Sequence, residues 1–254
     1  MMRHAWVLLV VSCRGGDGGP SAGAASARTP AAAADLPCAP TVHDKAEARL
    51  AGPGFEAYRL VGGSRNGQRV AMVVSHIGPG SGAAVGGLEV VEAGALRPVV
   101  DKNYFTAERG AAAVEGVERG LLDENAAAIA AAGIELGGNL PSPQPWCADP
   151  AGRIFLASGR ELRLEVTAPP CEDDPAHHTV AWAVCGVDER SESGGRGGAC
   201  VRGGARGCVE GKVTVRNLYR LGTTDWVVVE LAMQPFAGVD FHVRQLAGGS
   251  FSGS

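Results

Sequence analysis

The densest cluster of potential ligands in this 254-residue chain is CEDDPAHH, residues 171–178. Glu172, Asp173, Asp174, His177 and His178 offer the oxygen and imidazole donors that divalent cations take. Adjacent histidines on a strand point to opposite faces, which weakens chelation by both His177 and His178. Pro175 and the run of acids read more simply as a solvated loop between two strands. A metal site on Asp173, Asp174 and His177 is thus the alternative reading, and a metal-dependent enzyme built on it the alternative function.

Two glycine-rich stretches resemble reaction motifs and fail on context. In HIGPGSGAA, Gly78-x-Gly80-x-x-Ala83 has a dinucleotide-binding spacing, but that motif needs a helix N-terminus to receive the pyrophosphate. Val85-Gly86-Gly87 leads into the strand LEVVE instead, so a hairpin loop is predicted and no cofactor. Gly62-Gly63-Ser64-Arg65-Asn66 approaches a nucleophile elbow, yet Asn66 stands where a glycine is required. Asn66-Gly67 predicts a tight hairpin turn, since both residues tolerate positive φ. Arg196, Arg202 and Arg206 lie among glycines in SGGRGGACVRGGARGC, with Cys200 and Cys208 around the second half. That favours a loop pinned by a disulfide over an RNA-binding segment.

The cysteines are the other reactive groups. MMRHAWVLLVVSC carries a positive Arg3, an apolar run from Ala5 to Val11, and the small Ser12 before Cys13. Seven residues rising about 1.5 Å each cannot cross a hydrocarbon layer of roughly 30 Å. Val10-Val11-Ser12-Cys13 resembles a bacterial lipobox, in which the final cysteine is acylated after the signal peptide is removed. Setting Cys13 aside leaves Cys38, Cys147, Cys171, Cys185, Cys200 and Cys208, an even set suited to three bridges in an oxidising compartment. Cys200–Cys208 would close a small ring and Cys171–Cys185 would tie neighbouring strands, among fifteen possible pairings of six cysteines.

These groups need a scaffold. Residues 1–12 read as a signal peptide and residues 13–35, nearly devoid of large apolar side chains, as a tether. One β-rich domain is expected over residues 36–247, with residues 248–254 as a flexible tail. Aromatic residues make up only 5% of the chain, so much of the apolar content is alanine, which gains little on burial. Disulfides, typically worth ~2–4 kcal/mol each, would then matter more than usual. A net charge of −4 offers no nucleic-acid surface.

Short β-branched segments punctuated by glycine predict strands at 55–61, 68–77, 88–92, 95–100, 153–157, 160–167, 179–185, 211–218, 225–233 and 239–246. In 160–167, Leu162, Leu164 and Val166 alternate with Arg163, Glu165 and Thr167, the pattern of a half-buried strand. Residues 106–133 change period: Val114, Val117 and Leu121 recur at helical spacing and Gly133 is a natural stop. Gly116 and Gly120 predict two shorter helices rather than one. The expected fold is mainly β (α+β), an antiparallel sandwich-like or open domain with a central helical insertion. The alternative, from polar turns before apolar strands, is a small β-propeller.

The order of local elements resembles a family of bacterial predicted secreted proteins of unknown function. Its members show a Gly-Phe-Ser-x-Asp-Gly turn, a Phe-Ala-Phe strand, a Gly-Ser-Gly loop, an Ala-rich helix ending near Gly-Ile, and a late Pro-Gly-Phe-x-Gly-x-Asp element. The corresponding residues here are Gly63-Ser64-Arg65-Asn66-Gly67, Val70-Ala71-Met72, Gly80-Ser81-Gly82, Ala132-Gly133-Ile134 and Pro235-Phe236-Ala237-Gly238-Val239-Asp240. The aromatic strand is aliphatic here, Asn-Gly replaces Asp-Gly, and six body cysteines are not a mark of that family. The resemblance implies export and carries over no catalytic residue. Together these readings predict a non-enzymatic lipoprotein of the bacterial envelope, held at the outer membrane through Cys13, with an envelope protein or glycan as partner. A secreted or soluble periplasmic protein is the alternative.

Overall fold

A computed structural model describes residues 36–41, 56–77, 82–109, 111–172, 178–187, 199–209, 212–236 and 239–251. All belong to one compact unit, Ala32–Ser254. The strands are β1 (Glu56–Ser64), β2 (Arg69–Ile77), β3 (Ala83–Glu92), β4 (Val100–Arg109), β5 (Ile134–Leu136), β6 (Ser142–Pro143) and β7 (Trp146–Ala148), then β8 (Arg153–Leu156), β9 (Glu161–Thr167), β10 (His178–Gly186), β11 (Cys200–Val209), β12 (Val213–Leu221), β13 (Thr224–Phe236) and β14 (Val239–Gly249). Helices α1 (Ala111–Glu124) and α2 (Ala126–Ala131) lie between β4 and β5. The protein is mainly β, with antiparallel sheets, as its alternation predicts.

Three sheets form. A helix-backed sheet has the order β4-β3-β2-β1-β5, a middle sheet β14-β13-β12-β6, and an outer sheet β11-β10-β9-β8-β7. Alternation along β13 explains how they stack. Trp226 and Val228 enter one core with Tyr58, Val70 and Met72 of the helix-backed sheet. Val227, Val229 and Leu231, pointing the other way, enter a second core with Leu162, Trp182 and Val184 of the outer sheet. DWVVVELAM is nearly continuous in apolar residues because both of its faces are covered.

The far face of the helix-backed sheet is sealed by the helices. Ala71, Val73, Leu88 and Val90 meet Val114, Val117, Leu121 and Ile129 in a third core. Gly86 in β3 leaves room for this contact, since a Cβ there would lie 2.4 Å from Val117 Cγ1. With helices on that face, the sheets make an open stack rather than a closed ring of blades, so the propeller alternative does not describe them. The two-helix expectation holds, but the break falls at Asn125 and not at the glycines. Asn125 Nδ2 donates to the Leu121 carbonyl at 2.8 Å, turning the side chain back on the last turn of α1. Gly133, at φ 72°, ends α2 as expected.

Several expectations need correction. Residues 95–99 form turns and bends rather than a strand; the strand is β4, whose polar sequence DKNYFTAER belongs to a sheet edge. CVRGGARGCV is not a pinned loop but strand β11, paired along β10. The expected tail is also partly folded: β14 reaches Gly249, and Phe251 is buried in the core between the middle and outer sheets. Along β9 the predicted face grades outward, from fully buried Leu162 to exposed Val166.

Candidate functional site

The cysteines pair according to strand register. Cys185 and Cys200 stand opposite one another on β10 and β11 and are bonded, which excludes both the Cys200–Cys208 ring and the Cys171–Cys185 link. Extended strand also places residues 200 and 208 far too distant for a bridge, at about 3.3 Å rise per residue. Cys38 is bonded to Cys147, joining the start of the described chain to β7. Cys171 is disulfide-bonded as well, and its sulfur lies 3.6 Å from Thr179 Oγ1. Thr179 is in register with Cys208. Cys13 lies outside the described residues.

Asp173, Asp174 and His177 also lie outside the described residues. Their neighbour His178 opens β10, where its Nδ1 is 2.9 Å from the Ala168 carbonyl oxygen. Among the described residues, no group of three His, Cys, Asp or Glu side chains is placed to hold a metal ion. Ser64 serves its hairpin: its hydroxyl donates to Asn66 Oδ1 at 2.7 Å and accepts the Arg69 N–H at 2.8 Å. Only Gly67 of the Asn-Gly pair takes positive φ, with its N–H bonded to the Ser64 carbonyl.

Two buried carboxylates escape a reading of the sequence. Glu230, on the face of β13 turned to the helix-backed sheet, accepts Arg216 at 2.5 Å and Arg244 at 2.8 Å. Arg244 also stacks over the Tyr58 ring, 5.3 Å from its centre. Asn217 donates to the Tyr58 hydroxyl beside them. Asp225 accepts Arg220 at 2.6 Å and the Phe251 N–H at 3.2 Å. Both acids are satisfied by arginine and enclosed between sheets, an arrangement that sets how sheets dock. The available signal was an acid inside an apolar strand, which demands a buried cation.

A cleft of about 40 Å³ opens where the turn after β3 meets the edges of the middle and outer sheets. By comparison with the volume one water needs, it has room for about three waters. Trp182 on β10 forms its base, and Arg97 and Arg202 are among its walls. Trp182 Nε1 donates to Gln245 Oε1 at 3.0 Å, and Gln245 Nε2 donates to the Gly204 carbonyl at 2.7 Å. This chain of bonds fixes β10, β11 and β14 around the cleft. Gly203 lies against the indole, where a Cβ would come 2.4 Å from Trp182 Cζ2. The run VRGG thus supplies one charged side chain and two residues of bare backbone. Leu96, exposed by 75%, stands at the rim.

No family model, curated protein or solved structure matches this chain.

Proposed function

We propose that this protein is a non-enzymatic binding module of the bacterial cell envelope, held at the outer membrane by a lipid on Cys13 after loss of residues 1–12. The observation that carries this reading is oxidation of the body cysteines: Cys38–Cys147 and Cys185–Cys200 are bonded, and Cys171 is disulfide-bonded too. Such bridges persist in oxidising compartments and are rare in a reducing cytosol. Five of the six body cysteines are thus bonded, and the backbone of residue 208 lies in register with Thr179. Cys13, outside that set of six, is the cysteine available for acylation. The lipobox-like Val10-Val11-Ser12-Cys13 and the export implied by the family resemblance support the same assignment. The binding role draws on the cleft at Trp182, whose walls bear the charges of Glu89, Arg97 and Arg202.

Mass spectrometry of protein from its native cell, alkylated before reduction, tests the proposal. The expected product begins at an acylated Cys13 and takes up no alkylating agent at the six body cysteines. Intact Met1 or free body thiols overturn export, and an unacylated mature N-terminus gives the secreted or soluble periplasmic form instead.

A further inference from the structure

We propose that the Trp182 cleft binds a free carboxylate group carried on an aliphatic residue, gripped between Arg97 and Arg202. This rests on the binding-module reading and names the chemistry of its ligand. Several arginines of the fold are matched to carboxylates: Arg59 with Glu118, Arg69 with Glu92, Arg153 with Asp149, Arg220 with Asp225, and Arg216 and Arg244 with Glu230. Arg97 and Arg202 are not so matched, and unlike Arg119 and Arg163 they share a cleft. Both are exposed, and neither meets an acidic partner among the described residues. Yet they line one small space from different parts of the chain, Arg97 on the turn before β4 and Arg202 on β11. The acid on the same wall, Glu89, already has an interaction of its own.

Unpaired guanidinium groups favour oxyanions, because the planar fork presents parallel N–H donors at the spacing of carboxylate or phosphate oxygens. Size and surroundings then select between them. Room for about three waters admits a carboxylate and its adjoining carbon. Leu96 at the rim offers an apolar surface to the carbon chain that bears the carboxylate. Gln245 is already committed on both sides of its amide, so the base is rigid before a ligand arrives. The matching chemistry is the C-terminal carboxylate of a peptide ending in an aliphatic residue, or a short branched organic acid.

The test titrates the isotopically labelled full chain with acetyl-glycyl-leucine, its C-terminal amide, isovalerate and inorganic phosphate, following the Trp182 indole N–H and the Gly203 and Gly204 amides by NMR. Saturable shifts are expected with the free-acid peptide, and binding about tenfold weaker or worse with the amide. Arg97→Gln and Arg202→Gln should each weaken the free-acid peptide by a similar factor, whereas Arg65→Gln on a distant hairpin should leave it unchanged. Isovalerate binding as well as the peptide assigns the free acid as sufficient; binding of the peptide alone assigns a peptide end. The proposal is overturned by no saturable shift at millimolar probe, by equal response to the amide, by tighter binding of phosphate, or by insensitivity to both substitutions. A titration without response leaves the anchored, disulfide-bonded module standing, while an unacylated Cys13 leaves the carboxylate site standing.

Discussion

The backbone N–H of Phe251 donates to Oδ2 of Asp225 at 3.2 Å, so a residue beyond the last strand is tied to a buried acid on β13. Arg160 lies over the Phe251 ring, 6.0 Å from its centre, and also reaches Asp225. Phe251→Ala should therefore destabilise the fold by about 3 kcal/mol, the low end for a buried phenylalanine because a residue outside the sheet ladders can relax. A urea midpoint unchanged by this substitution would show that the contact is dispensable.

The two bridges with both partners described should differ in weight. Cys38–Cys147 spans 109 residues and Cys185–Cys200 spans 15. Chain-entropy reasoning gives about 4–5 kcal/mol for the longer loop and about 3 kcal/mol for the shorter. Paired serine substitutions, compared by denaturant unfolding, should rank C38S/C147S as the more damaging. The reverse order would place the main contribution of these bonds in the native state instead.

Glycine-to-alanine changes should have opposite signs at two positions. A Cβ at Gly203 would strike the rigid Trp182 ring, so Gly203→Ala should cost about 1–3 kcal/mol through overpacking. At Gly116, inside α1, a Cβ meets nothing within 4 Å, and Gly116→Ala should stabilise by up to about 1 kcal/mol. Thermal unfolding of the two variants reads both signs directly.

Burial lowers the pKa of His76 below its ordinary value of 6.5, because the imidazolium is desolvated on β2. The unfolded chain then binds the proton more readily than the folded one. Stability from the neutral side chain should be complete above about pH 6.5 and decline as pH falls toward the lower folded pKa. His76→Gln should flatten that slope in unfolding measurements made across the range. A slope of unchanged size would assign the acid sensitivity to other groups.

Elements whose side chains divide between an apolar and a polar face, or that are apolar throughout, are legible in the amino-acid order itself. The run 225–233, the set Val114, Val117 and Leu121, and Gly133 all reappear in their expected roles. Edge strands are not legible in this way, for a physical reason. β4 is polar because it has one neighbour, and β11 carries Gly203 where Trp182 lies against it. Periodicity reports burial, and these strands obtain their pairing from elsewhere. The bridge between Cys185 and Cys200 likewise depends on β11 being a strand. Arg202 stands out among its glycines, but Arg97, Trp182 and Gln245 are brought to it only by the stacking of sheets.

Because successive residues of β13 serve opposite interiors, no cut through this polypeptide would leave either portion with a complete set of walls. Melting should accordingly take place as a single event, and a fragment ending before Thr224 should fail to hold shape however well its local segments are formed. Evolution, or a designer, can alter the rim of the molecule piecemeal, but a change in the register of that one strand would have to be answered on both sides at once.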